Sequence, residues 1–387
     1  MATNSKSDRQ IPTFLGSDML DDGDSLAAAA VTRFLGRKPG TTLSRVSQGL
    51  SGGTVYRCST NNGSFALKCW PAETTGQRVD EVHHVQRYAG EQLSRDNRFT
   101  FKQLGQSFHP LVPKLSDLGG NQYRLTLADR HFDLSTWMPG AAFREPTVLA
   151  AGDAESAIAS VSGLENPLSI TSAIKAGAAA IARFHQATVD LGSEFLPAPA
   201  VIRRLKRLEE LRQELPLALA NAYRLTGPAK VAAEHLTQHW HRMQRDSEAV
   251  LRIWELKPVT LQWVLRDVHR EHVLFENDEV SGIVDFDAVR RDTVATDLAR
   301  WVGSFAESGF SPELLWDAAI TGYASVREIS PCEQRLSGAI EQASWYIHLA
   351  NWVTWIADES QNFPGGMVSA QRRVTALLRR SDVRISS

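Results

Sequence analysis

The stretch that decides the fold runs over residues 264–275, reads VLRDVHREHVLF, and is followed over residues 280–287 by VSGIVDFD. It contains two carboxylates, Asp267 and Asp285, each beside an apolar segment that is typical of a short strand. A turn at residues 277–278 can fold these segments back on each other, which brings both carboxylates to one side. Phosphoryl transfer needs such a pair, because one carboxylate orients the attacking hydroxyl and the other holds a metal ion on the phosphates.

This stretch resembles the aminoglycoside phosphotransferase and choline kinase branch of the kinase-like superfamily. The family pattern is H-G-D-x-H-x-x-N-V-L-F, then a short strand, I-D-F-D and a downstream D-L-A. The chain has LRDVHREHVLF at 265–275, VDFD at 284–287 and DLA at 297–299, with the same spacing. The resemblance implies an α+β fold of the bilobal protein-kinase-like type, with a small antiparallel β-sheet N-lobe and a larger, mainly helical C-lobe. It also implies ATP and Mg²⁺ as cofactors, Asp267 as the catalytic residue and Asp285 as the main metal ligand.

The pattern along the chain predicts three parts. Residues 1–23 are expected to form a flexible tail, residues 24–135 the N-lobe with a short helix before its sheet, and residues 136–387 the helical C-lobe with the catalytic and metal loops. Alternating or apolar runs predict strands at 42–48, 54–59, 65–70, 112–118 and 123–128. Asn62-Gly63 predicts a hairpin turn, and the last two strands are expected to pair across Gly119-Gly120. Apolar residues at helical spacing predict helices at 77–93, 170–189, 202–223 and 230–254, and a buried amphipathic helix around 345–355.

The resemblance places the nucleotide-binding residues in the N-lobe. The glycine-containing turn at 49–56 is similar to the family's nucleotide-covering loop, and Lys68 stands where the family has the lysine that contacts ATP phosphates. Residues 133–140 resemble the hinge between the lobes, where backbone groups meet adenine. The residues expected to bind the cofactor are Gly49, Ser51, Gly52, Gly53, Thr54, Lys68 and Leu134. A lone strand lysine is usually a solvated edge residue, but the spacing of Lys68 from the glycine turn favours the functional role.

Three features depart from the family pattern. Leu265 and Arg266 stand where the family has histidine and glycine, and an arginine before the aspartate is also a feature of protein kinases. His272 replaces the family asparagine, and an imidazole nitrogen is a poor ligand for magnesium but a better one for manganese or zinc. His272 is therefore either a second metal ligand, with Mn²⁺ as a possible cofactor, or a residue that packs and hydrogen-bonds within the loop. The helix glutamate that usually pairs with the strand lysine has one candidate, Glu81, which could equally be a surface charge.

Three further residues near the motif have expected roles. His185, in a segment similar to the family's L-A-x-L-H helix, and Asp297, in the DLA motif, are expected to be structural, with Asp297 fastening the catalytic loop to the next helix. Asp287 is either an additional carboxylate in the cleft or a partner of nearby backbone groups.

Charge and composition limit the partners. The net charge of −2 over 387 residues argues against binding of nucleic acid driven by the charge of the whole protein. The cysteines are odd in number and widely spaced, no signal-peptide or membrane-span pattern occurs, and a soluble, cytoplasmic protein is expected. Nothing in the sequence indicates the oligomeric state.

The charges around the motif suggest which acceptor is phosphorylated. Cationic side chains surround the two carboxylates: Arg266, His269, Arg270, His272, Arg290 and Arg291. They would repel a polycationic aminoglycoside, so the predicted acceptor is a neutral or acidic small-molecule alcohol. Alternatively, Arg290 and Arg291 could be balanced by Asp292. The predicted function is an ATP-dependent O-phosphotransferase. The alternative is a catalytically weak or dead kinase-like protein that acts as a scaffold for a nucleotide or a partner.

Overall fold

The computed structural model describes residues 22–48, 52–95, 111–143, 169–276, 278–305, 310–358, 363 and 366–385. The strands are β1 Thr42–Gln48, β2 Thr54–Thr60, β3 Gly63–Cys69, β4 Leu125–Leu127, β5 Arg130–Thr136, β6 Ala141–Ala142, β7 Glu194–Pro197, β8 Pro258–Val264, β9 Val273–Glu276, β10 Glu279–Ile283 and β11 Arg290–Asp292. The α-helices are α1 Asp22–Leu35, α2 Gly76–Arg95, α3 Ile170–Thr188, α4 Pro199–Ala220, α5 Gly227–Arg252, α6 Ala295–Gly303, α7 Pro312–Ala324, α8 Pro331–Ala357 and α9 Gly366–Ile385. Short 3₁₀ turns follow α3 at Val189–Leu191 and α4 at Ala222–Arg224.

The first part of the chain forms an antiparallel five-stranded sheet in the order β1-β2-β3-β5-β4. The β2–β3 hairpin closes at the predicted Asn62-Gly63 turn, where Gly63 has φ of 131°, a conformation that glycine tolerates and other residues avoid. Helix α1 covers one face of the sheet and packs Ala27 and Ala30 against Leu67 and Phe132. Helix α2 covers the other face.

The predicted strand pair 112–118 and 123–128 is wrong. Residues 112–118 form only an isolated bridge, in which Leu115 pairs with Ser135. The short strand β4 pairs instead with β5, across a turn in which Ala128 and Asp129 have positive φ values of 45° and 59°. Residues other than glycine seldom adopt positive φ, so Ala128-Asp129 does not predict a turn, whereas Gly119-Gly120 does.

The C-terminal part is mainly helical and is held by close contacts between small and large residues. Gly177 on α3 faces Trp301 on α6, and a Cβ atom at residue 177 would lie 2.1 Å from the indole. Trp301 is fully buried and donates its indole N–H to the carbonyl oxygen of Ile174 at 2.9 Å. The predicted Trp-rich helix lies within α8, which begins with a capping box between Ser330 and Glu333 and buries Trp345 and Trp352.

Two small sheets lie among these helices and contain the strands that flank the motif. Their orders are β10-β9-β6 and β11-β8-β7, all antiparallel. The segment between β8 and β9 contains Asp267, and the segment between β10 and β11 contains Asp285. The two loops meet at His272, which lies 2.9 Å from the Asp267 carbonyl oxygen and 3.5 Å from the Asp285 carboxylate. Among the helices that the structure describes, none is long and apolar enough to cross a membrane.

Candidate active site

The loop after β8 is fixed by a buried carboxylate, Asp297. Its side chain accepts hydrogen bonds from the backbone N–H groups of Leu265 at 2.7 Å and Arg266 at 2.6 Å. It also accepts from Nε2 of His185 at 2.9 Å, and Nδ1 of that imidazole lies 2.8 Å from the hydroxyl of Tyr323. Asp297 and His185 are both fully buried, which makes each of these bonds structurally important. The predicted structural roles of both residues agree with this geometry.

Asp267, the predicted catalytic residue, lies on this loop with its side chain half exposed. Its Oδ1 accepts a hydrogen bond from Nε of Arg300 at 2.9 Å, and the Asp267 side chain is 50% exposed. Within the described residues Oδ2 has no hydrogen-bond partner. Sequence reasoning missed Arg300, although it directly follows the DLA motif and is the first basic residue of that helix. The ion pair orients the carboxylate and leaves one oxygen available to a hydroxyl group.

Asp285, the predicted metal ligand, begins the next loop in a left-handed backbone conformation with φ of 63°. A non-glycine residue in this region costs roughly 1 kcal/mol or more and is frequent at functional sites. The conformation turns its carboxylate toward Lys68, whose Nζ lies 3.1 Å from Oδ1 of Asp285. The Lys68 ammonium holds the pKa of Asp285 well below its ordinary range.

Lys68 also forms an ion pair with Asp287, so the strand lysine bridges two carboxylates of the opposite lobe. Burial disfavours the ammonium, but the charges of Asp285 and Asp287 outweigh it and raise the pKa of Lys68. Burial and the neighbouring Asp285 charge raise the pKa of Asp287 to about 6. Of the two roles considered for Asp287, a carboxylate in the cleft matches its side chain. Its backbone carbonyl separately accepts a hydrogen bond from Arg78 at 2.7 Å.

His272 hydrogen-bonds within the catalytic loop and also faces the carboxylate of Asp285. Its Nδ1 lies 2.9 Å from the carbonyl oxygen of Asp267, a distance at which Nδ1–H donates. A neutral imidazole of that tautomer has its lone pair on Nε2, which lies 3.5 Å from Oδ2 of Asp285. Two acceptors facing each other in this way form a site suited to a cation.

A second group of potential ligands surrounds His272. Side-chain ligand atoms of Asp267, His269 and His272 lie within 4.8 Å of one another. The rings of His269 and His272 are 3.8 Å apart, and burial, aided by nearby cationic side chains such as Arg300, lowers the pKa of His269 to about 2. His269 is therefore neutral at physiological pH and can act as a nitrogen ligand. His269 is the residue that the predicted metal set did not include.

Glu81 does not pair with Lys68. Its carboxylate forms an ion pair with Arg78 and lies 3.9 Å from Arg290. On the buried face of α2 the residue nearest to the lysine strand is His83, whose Nε2 lies 3.1 Å from Asp133 on β5. Asp133 stands opposite Lys68 in the β3–β5 register and adds to the negative charge around it. Helical periodicity explains the miss, because position 81 lies about half a turn away from the buried positions 79 and 83.

The structure describes some of the residues predicted to bind the nucleotide and not others. Gly49 and Ser51 lie outside the described residues. Gly52 is exposed with φ of 82°, Gly53 follows it, and Thr54 begins β2 directly opposite Cys69, one residue after Lys68. The end of this turn therefore lies beside the lysine strand.

Leu134 is the exception, because the structure turns it away from the cleft. Its side chain is fully buried against α1 together with Phe132, whereas Asp133 between them points to the α2 side of the sheet. Its carbonyl oxygen accepts a hydrogen bond from Ser116 at 2.7 Å. Side chains alternate along a strand, so a residue one place away from Asp133 faces the opposite layer. The side chain of Leu134 therefore belongs to the core, and the cofactor contact that the resemblance assigns to backbone groups of this segment remains a prediction.

Of the predicted cationic residues near the motif, Arg291 is neutralised by a partner. Arg291 pairs with Glu194 at 2.9 Å. Asp292 does not balance it, as considered from the sequence, because the Asp292 carboxylate is fully buried and pairs with Arg203 at 2.5 Å. Arg266 has no side-chain hydrogen bond or ion pair within the described part of the chain. Arg266 is therefore a cation beside Asp267 that no described carboxylate pairs with.

Comparison with known proteins gives the family context of this site. Residues 42–329 match the family described as the phosphotransferase enzyme family. Among curated proteins, no sequence matches the chain.

Solved structures share the fold at low sequence identity. An aminoglycoside phosphotransferase from Alicyclobacillus acidocaldarius is 14% identical and superposes with a TM-score of 0.58, over 97% of this chain and 98% of that chain. The amicoumacin kinase hAmiN, solved with AMP-PNP and Ca²⁺, is 12% identical with a TM-score of 0.57, over 95% and 94%. A microcompartment-associated aminopropanol kinase is 14% identical with a TM-score of 0.53, over 92% and 95%. These similarities confirm the predicted bilobal kinase-like α+β fold.

Proposed function

The chain belongs to the phosphotransferase enzyme family, and from this membership we propose that it transfers the γ-phosphate of ATP to a hydroxyl group of a neutral or acidic small molecule. The observation that carries the proposal is the convergence of Lys68, Asp285 and Asp267 at the junction of the sheet and the helical part. Lys68 lies 3.1 Å from Asp285, and the His272 imidazole contacts both the Asp285 side chain and the Asp267 backbone. Phosphoryl transfer depends mainly on positioning and on charge stabilisation, which this arrangement supplies.

Asp267 acts on the acceptor. Its unpartnered Oδ2 accepts the hydrogen bond of the acceptor hydroxyl, while Arg300 holds Oδ1 at 2.9 Å. As the new oxygen–phosphorus bond forms, the hydroxyl proton passes to this carboxylate and the bond between the γ-phosphorus and the bridging oxygen breaks, which releases ADP. The residues Lys68 and Gly52 to Thr54 bind the phosphates, and Gly49 and Ser51 are proposed to do so as well.

Asp285 and His272 are the residues proposed to hold a divalent metal ion. The oxygen of Asp285 suits Mg²⁺, whereas the free Nε2 of His272, 3.5 Å from that carboxylate, suits Mn²⁺ better. A bound ion supplies neutralisation of the phosphate charge. Lys68 then exchanges one of its carboxylate partners for a phosphate oxygen, a change that its two-carboxylate contact allows.

The experiment is a measurement of ADP release with ATP and either Mg²⁺ or Mn²⁺ over a panel of polyols, hydroxy acids, amino alcohols and aminoglycosides. We expect turnover with neutral or acidic acceptors, and a loss of about 10²–10⁴-fold in the Asp267→Asn variant. Turnover confined to aminoglycosides would contradict the acceptor class. An Asp267→Asn variant that binds ATP like the wild type, together with a wild type that turns over no acceptor, would favour the scaffold alternative.

A further inference from the structure

Three arginines from separate elements converge beside the catalytic loop. They are Arg204 on α4, Arg266 on the loop itself and Arg300 on α6, and we call them the arginine cluster. Arg300 reaches Asp267 at 2.9 Å. Arg204 donates from Nε to Ser344 on α8 at 2.8 Å and from Nη1 to the carbonyl oxygen of Ala200 at 3.1 Å. Arg300 therefore contacts the catalytic carboxylate, Arg266 directly precedes it in the chain, and the charges of both act on Arg204.

Two of these guanidinium groups have no counter-ion in salt-bridge contact. Within the part of the chain that the structure describes, Arg204 forms no ion pair, and the Arg266 side chain has neither an ion pair nor a hydrogen bond. Arg300 uses Nε for Asp267, and no further bond of its guanidinium occurs among those residues. Arginine is rarely left half-buried without a partner, because desolvating a charge is costly.

The nearby carboxylates are occupied elsewhere. Asp292 is fully buried and pairs with Arg203, while Asp297 is fully buried and accepts two backbone N–H groups and an imidazole. Burial, together with the charges of Arg203, Arg300 and Arg266, lowers the pKa of Arg204 to about 10 against the opposing charge of Asp292. Arg204 still carries its charge at neutral pH, in a place where like charges are crowded.

His348 on α8 lies close enough to Arg204 and Arg300 to be affected by their charges. It lies one helical turn after Ser344, on the same face of α8 that Arg204 contacts. Burial and the charges of Arg300 and Arg204 lower its pKa to about 3, so it is neutral and offers one N–H donor. Arg204 and His348 both retain some contact with solvent, so a ligand can reach them.

We propose that the acceptor carries an anionic group, a carboxylate or a phosphate, that binds among Arg204, Arg266 and Arg300 and places the acceptor hydroxyl at Asp267. Planar guanidinium groups match the oxygens of either anion through paired hydrogen bonds. The same positive charge repels polycationic acceptors. This inference rests on the proposed function and narrows its acceptor from a neutral or acidic alcohol to an acidic one.

The test uses sodium malonate and sodium sulfate as probes, with sodium chloride at the same ionic strength as the reference. We expect both anions to raise the melting temperature of the wild type above the chloride reference, and to do so with AMP-PNP and Mn²⁺ already saturating. That condition separates the acceptor side from the site of the nucleotide phosphates, because a phosphate site at Lys68 would already be filled.

Arg266→Gln is the informative variant, because the Arg266 side chain has no bond within the described structure to lose on substitution. We expect its affinity for malonate to fall about ten- to hundredfold, the equivalent of one charge-assisted interaction. Arg266→Lys keeps the charge and should recover most of the affinity. Arg252→Gln, at an exposed arginine on α5 that pairs with Glu255, is the matched control and should bind malonate like the wild type.

The outcomes separate this inference from the proposed function. Malonate stabilisation that persists unchanged in Arg266→Gln, or none in the wild type beyond chloride, would overturn the anionic site. Stabilisation by malonate without any by AMP-PNP would leave the anionic site standing and contradict ATP dependence. A response to AMP-PNP without one to malonate would do the reverse.

Discussion

The substitution Asp297→Asn tests whether one buried carboxylate fixes the catalytic loop. In the native structure Oδ2 accepts from Leu265 N–H at 2.7 Å and from His185 Nε2 at 2.9 Å, and Oδ1 accepts from Arg266 N–H at 2.6 Å. An asparagine amide has one oxygen. It can keep the two bonds made by Oδ2 only if its NH₂ group faces the Arg266 N–H.

The expected cost follows from that count. One charge-assisted hydrogen bond is lost, two others become neutral bonds, and a donor faces a donor in a fully buried site. A lost bond of this kind costs about 1.5–3 kcal/mol, so the variant should be less stable by about 2–4 kcal/mol. A globular protein is stable by only about 5–15 kcal/mol, so the change is large but need not prevent folding.

The assay is urea denaturation followed by tryptophan fluorescence, to which the buried Trp301 contributes. Tyr323→Phe is the matched control, because it removes only the outer hydroxyl that lies 2.8 Å from His185. We expect it to lose about 1 kcal/mol and to keep the loop in place. An Asp297→Asn variant within 0.5 kcal/mol of the wild type would refute the reasoning that this carboxylate anchors the loop.

Three further predictions concern the metal, the packing and the pH response. His272→Asn restores the hard oxygen of the family pattern and should raise the ratio of Mg²⁺- to Mn²⁺-supported turnover; an unchanged ratio would remove His272 from the metal site. Gly177→Ala should destabilise the protein by roughly 2–3 kcal/mol because its Cβ would lie 2.1 Å from Trp301, whereas Gly338→Ala, with no atom within 4 Å of its Cβ, should stabilise α8 by up to about 1 kcal/mol in the same denaturation assay. Burial and nearby arginine charges lower the pKa of His348 to about 3, so the unfolded chain binds the extra proton first and stability falls as the pH drops from about 6.5 toward 3. At pH 5 this amounts to at most about 2 kcal/mol, and His348→Gln should flatten the fall between pH 7 and pH 5 in denaturation midpoints; an equally steep fall would contradict it.

The local pattern was sufficient for the parts of the fold that neighbouring residues determine. The apolar segments on either side of the predicted turn form β9 and β10, which pair with Val280 opposite Phe275. The Asn62-Gly63 turn closes the hairpin of β2 and β3 that carries Lys68. Because these features depend on chain geometry over a few residues, sequence reasoning reached them.

The direction in which a side chain points on a strand or helix follows from its position in the sequence. Leu134 and Asp133 are adjacent on β5 and face opposite layers, so only one of them could lie on the lysine side. Glu81 does not pair with Lys68 for an analogous reason. Its angular position on α2 lies off the buried face of that helix.

Partners brought together from distant helices could not be predicted. Arg204 and Ser344 are 140 residues apart in sequence and meet only because α4 packs on α8. Arg300 lies close to the motif, but its pairing with Asp267 depends on the orientation of α6 relative to the catalytic loop. No spacing rule within a single sequence encodes such helix packing. Arg266 could be listed from the sequence as a cation near Asp267, whereas the approach of Arg204 and Arg300 could not.

The boundaries given to the tail and the two lobes remain predictions. Residues 1–21 of the expected tail lie outside the described residues. Helix α1 begins at Asp22, and β5 continues to Thr136, one residue beyond the expected boundary between the lobes.

The measurement that tests the central claim most directly is the thermal unfolding of the wild type and of Lys68→Met with ATP and Mg²⁺, with ATP and Mn²⁺, and with each metal alone. A ligand at 100 times its dissociation constant stabilises the folded state by about 2.7 kcal/mol, which corresponds to about 3 °C for a chain of this size. We predict a rise in the wild type that requires both ATP and a metal, its loss in Lys68→Met, and its retention in Lys38→Met, a control at an exposed lysine. No rise in the wild type at millimolar ATP with either metal would contradict the proposed nucleotide site.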